Sequence, residues 1–424
     1  MNLLLRQATI VDPASPHNGH TTDIHILEGR IEAIGEHLQA SGAEVIEGKG
    51  AWCSPGWLDF GTQGGDPGLE HREDFNSLSE AALAGGYTTL VCAPNTDPPL
   101  HSKSEIAYLM AQNRRLPVQL LPLGAASMHC QGKDITEMLD MRAAGAVAFG
   151  DGHTPIANSG LMLRALQYAT AFDGIIVNRP SDAGIAGGGQ LHEGAISTRL
   201  GLRGIPALAE QLMTERDLHL LEYTGSRLHL WGLSTRGAVE MVRRAKKAGL
   251  PVTASVAALN LLFTDEVLGD FNENFKVLPP LRSEDDREAL LEGLEDGTLD
   301  FIFSNHLPLD TEAKDREFPY ADFGAIGLQT AAAALHTHLG LRFSPQQWIK
   351  WLALRPREIF GLPAPSVQVG VQAWLTLFQP NAEWTFQREH ILSKSHNSPL
   401  IGQSFKGRVW ATISGPHYRK FDAL

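Results

Sequence analysis

Hydrophobic and polar positions change rhythm twice along the chain. Up to about residue 55, short β-rich runs alternate with turns: Leu3–Ile10, Thr22–Leu27 before Glu28-Gly29, Arg30–Ile34 before Gly35, and Glu44–Glu47 before Gly48. Such runs punctuated by turn residues predict a small antiparallel sheet. From Trp57 onward, short apolar runs alternate with segments whose apolar residues recur every three or four positions, the signature of βα units around a parallel sheet. The predicted strands are Trp57–Phe60, Thr88–Ala93, Gln119–Leu123, Ala146–Phe149, Gly174–Val177, Arg227–Leu233, Val252–Val256 and Asp300–Ser304. Between them lie predicted helices such as Ser79–Ala84, Ser104–Asn113, Gly237–Ala248 and Asp285–Leu294. Eight strands so spaced fit a (β/α)8 barrel. After the proline-rich break Leu362–Pro365 a β-like pattern returns at Ala373–Phe378, Trp384–Phe386 and Arg408–Ile413. The expected architecture is therefore α/β: residues 55–364 form a (β/α)8 TIM barrel, and residues 1–54 plus 365–424 form a small β-sandwich beside it.

Composition narrows the function classes. The chain has 424 residues, 35 Lys+Arg against 48 Asp+Glu and a formal charge of −13, which repels phosphate backbones and anionic lipid. Nucleic-acid and membrane-surface partners are not expected. Three cysteines, Cys53, Cys92 and Cys130, form no CxxC and no disulfide framework, which fits a reducing cytoplasm. No apolar run approaches the 18 or more residues of a membrane span. In a (β/α)8 barrel, chemistry sits in the loops after the strands' C-terminal ends. Here those are Asp59–Gly68, Ala93–Thr96, Phe149–His153, Val177–Pro180, Leu230–Thr235 and Ser304–Leu309.

A series of motifs then becomes specific. Pro55-Gly56-Trp57-Leu58-Asp59, Ala84-Gly85-Gly86-Tyr87-Thr88-Thr89, Pro94-Asn95-Thr96, His192-Glu193-Gly194, Pro279-Pro280-Leu281-Arg282 and Gly327-Leu328-Gln329-Thr330 resemble the motif series of the dihydroorotases of the amidohydrolase superfamily. The order holds over essentially the whole chain. The resemblance implies a barrel with a β-sandwich appendage, a zinc site at the barrel mouth, and reversible cyclisation of carbamoyl-aspartate to dihydroorotate in pyrimidine synthesis.

The functional half of those motifs is changed. The family's first strand carries Asp-x-His-x-His and then Arg-Glu-Pro-Gly; this chain keeps Asp59, Pro67 and Gly68 but has Gly61 and Gln63 for the metal histidines and Gly65 for the substrate-binding arginine. Asn178 and Gly232 stand where the resemblance places the histidines of the fifth and sixth strands. At the eighth strand Asn305 replaces the aspartate that is metal ligand and base, and Leu309 replaces a substrate-binding histidine. A catalytic zinc normally needs three protein ligands and an open position. Glycine offers none, and an amide is a poor one. Asp151 survives as a remnant of the bridging carboxylate, and Asn95 matches a substrate-binding position. The expectation is no metal and no cofactor, hence no depressed pKa for an attacking water.

The remaining candidates have plainer readings. His153 and His306 lie at strand ends but are each expected to be structural hydrogen-bonding groups; His336 and His338, two apart on a helix, point in different directions. Arg282 is expected to brace a loop, Asp59 to fix the end of the first strand, and Gly187-Gly188-Gly189 to form a loop beside the mouth. Arg243, Arg244, Lys246 and Lys247 read as a solvated helix face, and Trp231 as a plug in the space of metal and substrate. These readings predict a chain that is not an enzyme, resembling the non-catalytic dihydroorotase-like proteins and serving as a homo-oligomer or as a structural or regulatory partner of aspartate carbamoyltransferase. The alternative is an active dihydroorotase or related cyclic-amide hydrolase with a site rearranged around Asp151, His153 and His306.

Overall fold

The computed structural model describes residues 1–421. Eight parallel strands form the central sheet: β1 (Trp57–Thr62), β2 (Tyr87–Cys92), β3 (Gln119–Gly124), β4 (Ala148–Phe149), β5 (Ile175–Asn178), β6 (Arg227–Leu230), β7 (Val252–Ala257) and β8 (Phe301–Phe303). Each is hydrogen-bonded to the next in chain order, with helical segments between them, the TIM-barrel arrangement. Across the seam between β8 and β1 the closure is made by a side chain. The buried Asp59 carboxylate accepts from Ser304 N at 2.6 Å, Ser304 Oγ at 2.7 Å and Thr62 Oγ1 at 2.5 Å. Gln63 N adds a bond to the His306 carbonyl at 3.0 Å.

Element ends differ from the pattern where local chemistry overrides it. β6 stops at Leu230 instead of Leu233, because Gly232 takes a φ of +79° that an extended strand does not allow. The first helix of the barrel starts at Phe75 instead of Ser79, since Asp74 accepts from Asn76 N and Ser77 N while Ser77 Oγ caps in return. Two late β-runs are one strand, Trp374–Thr385, with a break in pairing register between Gln379 and Glu383.

The chain ends meet in one hydrogen-bonded sheet of eight mostly antiparallel strands. Trp52–Pro55 is its junction, antiparallel to Trp374–Thr385 and parallel to Asn2–Ile10. Its buried face carries Leu3, Leu5, Ile10, Ile24, Ile26, Leu375, Leu377 and Ile413. Among the described residues, no helix is long and apolar enough to cross a membrane, and all three cysteines are free and buried.

The barrel interior is aromatic. Phe60 stacks on Phe360 with centroids 4.6 Å apart, and the His229 ring lies parallel to Phe301 at 5.0 Å. Fully buried, His229 bonds through its ring nitrogens to hydroxyls, Thr253 Oγ1 at 2.9 Å and Ser255 Oγ at 3.0 Å. Burial, with a smaller contribution from Lys246, pulls its pKa down to about 3. A depressed histidine stabilises the fold above the unfolded value of about 6.5 and loses that contribution as pH falls toward the folded value. Below about pH 6, wild type should therefore lose up to about 1.4 kcal/mol per pH unit relative to His229→Gln. Urea unfolding of both proteins from pH 7 to pH 4 measures it, and parallel curves would contradict a neutral buried His229.

Candidate functional site

The mouth is shaped by one large ring over one missing side chain. Trp231, fully buried just beyond β6, packs against Phe60, Phe303 and His153 with centroids 5.8, 5.7 and 5.1 Å away. Its ring occupies the side-chain space of residue 61: a Cβ added to Gly61 would lie 2.0 Å from Trp231 Cζ2. Gly61 also has φ +76°. At Gly65, φ +71°, a Cβ would stand 2.1 Å from the Glu73 carbonyl oxygen, so an arginine does not fit without backbone movement. A Cβ on Gly232 would press on Phe303 at 3.2 Å and Pro279 at 3.3 Å.

The polar candidates are mostly engaged with their neighbours. Asn178 donates to Asp217 Oδ2 at 2.7 Å and accepts from Ile156 N at 2.9 Å. Burial lifts the Asp217 pKa to about 6 against the pull of Arg216. Asn305, at φ +56°, donates to the Leu278 carbonyl at 2.9 Å. Asp151 accepts from Ser127 N at 2.8 Å and Ser127 Oγ at 2.5 Å, so its carboxylate clasps the loop after β3; burial raises its pKa. Asn95 accepts from His153 N at 2.8 Å and donates to the Asp151 carbonyl at 3.0 Å. It positions the His153 backbone. Gln63 donates to the Asn95 carbonyl, leaving its buried Oε1 without a partner.

His306 is structural. Its Nδ1 accepts from Gly327 N at 3.2 Å and its Nε2 lies 3.4 Å from Glu73 Oε2. Burial pushes Glu73 upward, yet bonds from His306, Ser393 and Ser77 outweigh it and hold its carboxyl below the ordinary range. Leu309 is buried. His336 bonds to the Pro380 carbonyl at 3.0 Å, while His338 packs near Phe263. Two residues of the basic helix face are ion-paired, Arg243 to Asp296 at 2.7 Å and Lys246 to Asp300 at 2.6 Å.

Sequence reasoning passed over Arg179, Glu210 and Glu73. Arg179 Nη1 donates to His153 Nδ1 at 2.7 Å, while Nη2 donates to the Leu278 carbonyl and lies 3.4 Å from Asn305 Oδ1. Its guanidinium carbon sits 5.1 Å from the centre of the Trp231 ring, a cation–π contact. The bond from Arg179 leaves the His153 proton on Nε2, and that nitrogen has no partner. Burial first, and the Arg179 charge second, keep the His153 pKa well below its ordinary value. The imidazole is neutral. It stands between two cavities, one of about 170 Å³ bordered by Gln63, Asn95 and Glu73, the other of about 260 Å³ bordered by Arg179, Glu210 and Arg282. The sequence signal for Arg179 was its place directly after β5, beside Asn178. Zinc does not fit this mouth: among the described residues, no group of three or more His, Cys, Asp or Glu side chains could hold a metal ion.

The dihydro-orotase-like family model matches residues 54–238. A dihydroorotase of Pelotomaculum thermopropionicum is 39% identical over 98% of this chain and 97% of its own length. The chain belongs to the dihydroorotase-like family. A dihydroorotase of Syntrophus aciditrophicus is 38% identical over 97% of this chain and 98% of its own length. Among solved structures, the L-hydantoinase (dihydropyrimidinase) of Arthrobacter aurescens superposes with a TM-score of 0.86 at 24% identity, covering 100% of this chain and 97% of that one. At that identity the likeness speaks for the fold. Full-length relatives named dihydroorotase correct the expectation of a non-enzyme: the chain stands within a family of hydrolases.

The packing predicts a coupled pair. Gly61→His should destabilise by about 3 kcal/mol or more, from overpacking and left-handed strain together, and should bring no stoichiometric zinc. In a Trp231→Ala background the same change should cost less, because the ring that it strikes is gone. A double-mutant cycle by thermal unfolding, with elemental analysis of each protein, measures both; additive losses would contradict the steric reading.

Proposed function

We propose that this chain acts as a dihydroorotase-like amidohydrolase on a small cyclic amide, at a mouth rearranged around His153. The observation that carries the reading is the buried, unpartnered Nε2–H of a neutral imidazole whose Nδ1 is held by Arg179, on a residue that borders both cavities. A neutral imidazole can donate a hydrogen bond to a ring carbonyl as charge gathers on the oxygen, and burial keeps it neutral across physiological pH. Its role is to polarise, since losing the Nε2 proton outright would leave an imidazolate. Asp151 and His306, the other two groups of the expected rearrangement, are spent on Ser127 and on Glu73 and Gly327. Among the described residues no free carboxylate base stands beside His153, and a missing general base costs roughly 10²–10⁴ in rate. Slow turnover follows.

The relatives' names supply the substrate to try, dihydroorotate. Ring opening by the purified protein, followed with chelator and with added zinc, should run slowly above background, stay unchanged by chelator, and fall roughly 10²-fold in His153→Ala. Background rates in wild type under every condition, or wild-type rates in His153→Ala, would overturn the proposal.

The partner reading rests on the family resemblance and on one surface observation. Leu208, Leu212 and Tyr223 are exposed on the barrel helix Ala207–Thr224, an apolar presentation suited to a protein partner. We propose that this chain associates through its barrel helices, as a homo-oligomer or with aspartate carbamoyltransferase. Sedimentation at micromolar concentration, with and without that transferase, should show a species heavier than the monomer; a lone monomer in both runs would remove the proposal.

A further inference from the structure

A further hollow lies outside the barrel, in the sheet formed by the chain ends. The strand Asn2–Ile10 pairs antiparallel with Thr21–Leu27 and parallel with Glu44–Glu47, and its pairing with Thr21–Leu27 breaks between Leu5 and Ala8. Gln7 stands in that break at φ +54°, and His37 has φ +53° in the loop after Arg30–Gly35. The buried Asp23 carboxylate ties the two together, accepting from Gln7 N at 3.0 Å and from Leu38 N at 3.1 Å. Broken pairing of this kind re-aims side chains, and left-handed residues other than glycine persist only where their surroundings fix them. What they enclose is a cavity of about 170 Å³ bordered by Arg6, Gln7, Asp23, His37, Gln39 and Glu47, with Leu38 as its apolar contact. Arg6 is the unusual member. Its Nε is shielded from solvent, and its side chain has no hydrogen-bond or ion-pair partner among the described residues. Glu47 stands opposite it in the strand register, yet the two form no ion pair. A partly desolvated guanidinium without a counter-charge is unfavourable.

We propose that this cavity binds a small zwitterion of the α-amino-acid type. The ligand's carboxylate meets Arg6, whose planar guanidinium is the group best matched to that anion. Its ammonium turns to Glu47, which borders the same space and has no hydrogen bond or ion pair of its own among the described residues. Two carboxylates against one guanidinium give the wall a net negative charge, which disfavours phosphate and any ligand that brings only an anion. A ligand that brings only a cation would leave Arg6 unpaired. A molecule that carries both charges close together satisfies both ends. Gln7, His37 and Gln39 add hydrogen-bonding groups, and so polar a wall argues against an aromatic or long aliphatic body. The volume, below the roughly 300 Å³ at which drug-sized sites begin, sets the scale at an amino acid with a short polar side chain. The hollow shares no bordering residue with the two cavities at the barrel mouth, so binding here is independent of the hydrolytic proposal.

Titration calorimetry on the whole chain tests it with four probes: L-serine, ethanolamine, which lacks the carboxylate, 3-hydroxypropionate, which lacks the ammonium, and inorganic phosphate. L-Serine should bind at least about tenfold more tightly than each of the others, the scale of one lost charged hydrogen bond. Arg6→Gln and Glu47→Gln should each weaken L-serine by a similar factor, whereas His153→Ala at the barrel mouth should leave its binding unchanged. Glu47 is exposed, so its variant and the wild-type comparison decide even if Arg6→Gln does not fold. No binding of L-serine, equal or tighter binding of any other probe, undiminished binding by a folded Arg6→Gln or by Glu47→Gln, or loss of binding in His153→Ala would each overturn the assignment.

Discussion

Two side chains cannot share the volume at the mouth of this barrel, and the choice made there governs the rest of the site. Trp231 lies where the side chain of residue 61 would project, at a separation of 2.0 Å from a Cβ that Gly61 lacks. Glycine at 61 and tryptophan at 231 are therefore one structural decision written at two places 170 positions apart. Once the indole is in, it offers its face to Arg179 and its edge to Phe60, and it sets the wall against which His153 rests. Reversing a single position meets a clash before it meets any question of ligation.

The electrostatics follow the same logic. A carboxylate at position 305 beside a divalent ion balances charge; Asn305 without that ion needs no such balance. What stands near Asn305 is the guanidinium of Arg179, 3.4 Å from Oδ1, whose pKa burial lowers to about 10, so it remains protonated at neutral pH. A fixed monovalent cation thus stands beside Asn305, surrounded by neutral acceptors: a carbonyl, an amide and an imidazole. Such a group can order dipoles and hold His153 in one tautomer. It offers no open coordination position for water, which is why polarisation of a carbonyl is the chemistry left to this mouth.

Much of this was legible in the chain because it depends on local spacing. All eight barrel strands stand within a few residues of their predicted places, and the terminal β-runs do meet. Gly61, Gln63, Asn178, Gly232 and Asn305 could be placed at the barrel mouth, since each sits just beyond or at the end of a predicted strand. The partners were not legible. Glu73 and His306 are 233 positions apart, Arg179 and Asn305 126 apart, and no periodicity links such pairs. Asp151 shows the limit from the other side: a retained acidic residue reads as a ligand in sequence, whereas in the fold Ser127 takes both its oxygens. Strand and helix ends were missed wherever a cap or a left-handed glycine, at Asp74 or Gly232, outranked hydrophobic pattern.

Asp59 shows why full-length similarity and a rebuilt mouth coexist. It opens the family's metal motif, yet its oxygens are spent on Ser304 and Thr62, joining the last strand to the first. Replacing it would leave three buried donors unpaired at the seam of the sheet, at about 1–3 kcal/mol for each. The neighbouring side chains do not share that duty: Gly61 has none, and the Gln63 amide donates to the Asn95 carbonyl and leaves its acceptor unused. Within five consecutive residues the chain therefore holds both a residue that the barrel requires and the positions where the family resemblance places metal ligands. The first is held in place by buried hydrogen bonds. At the second, Trp231 fills the side-chain space of Gly61, so the chemistry of the mouth has to be read from the side chains that stand there.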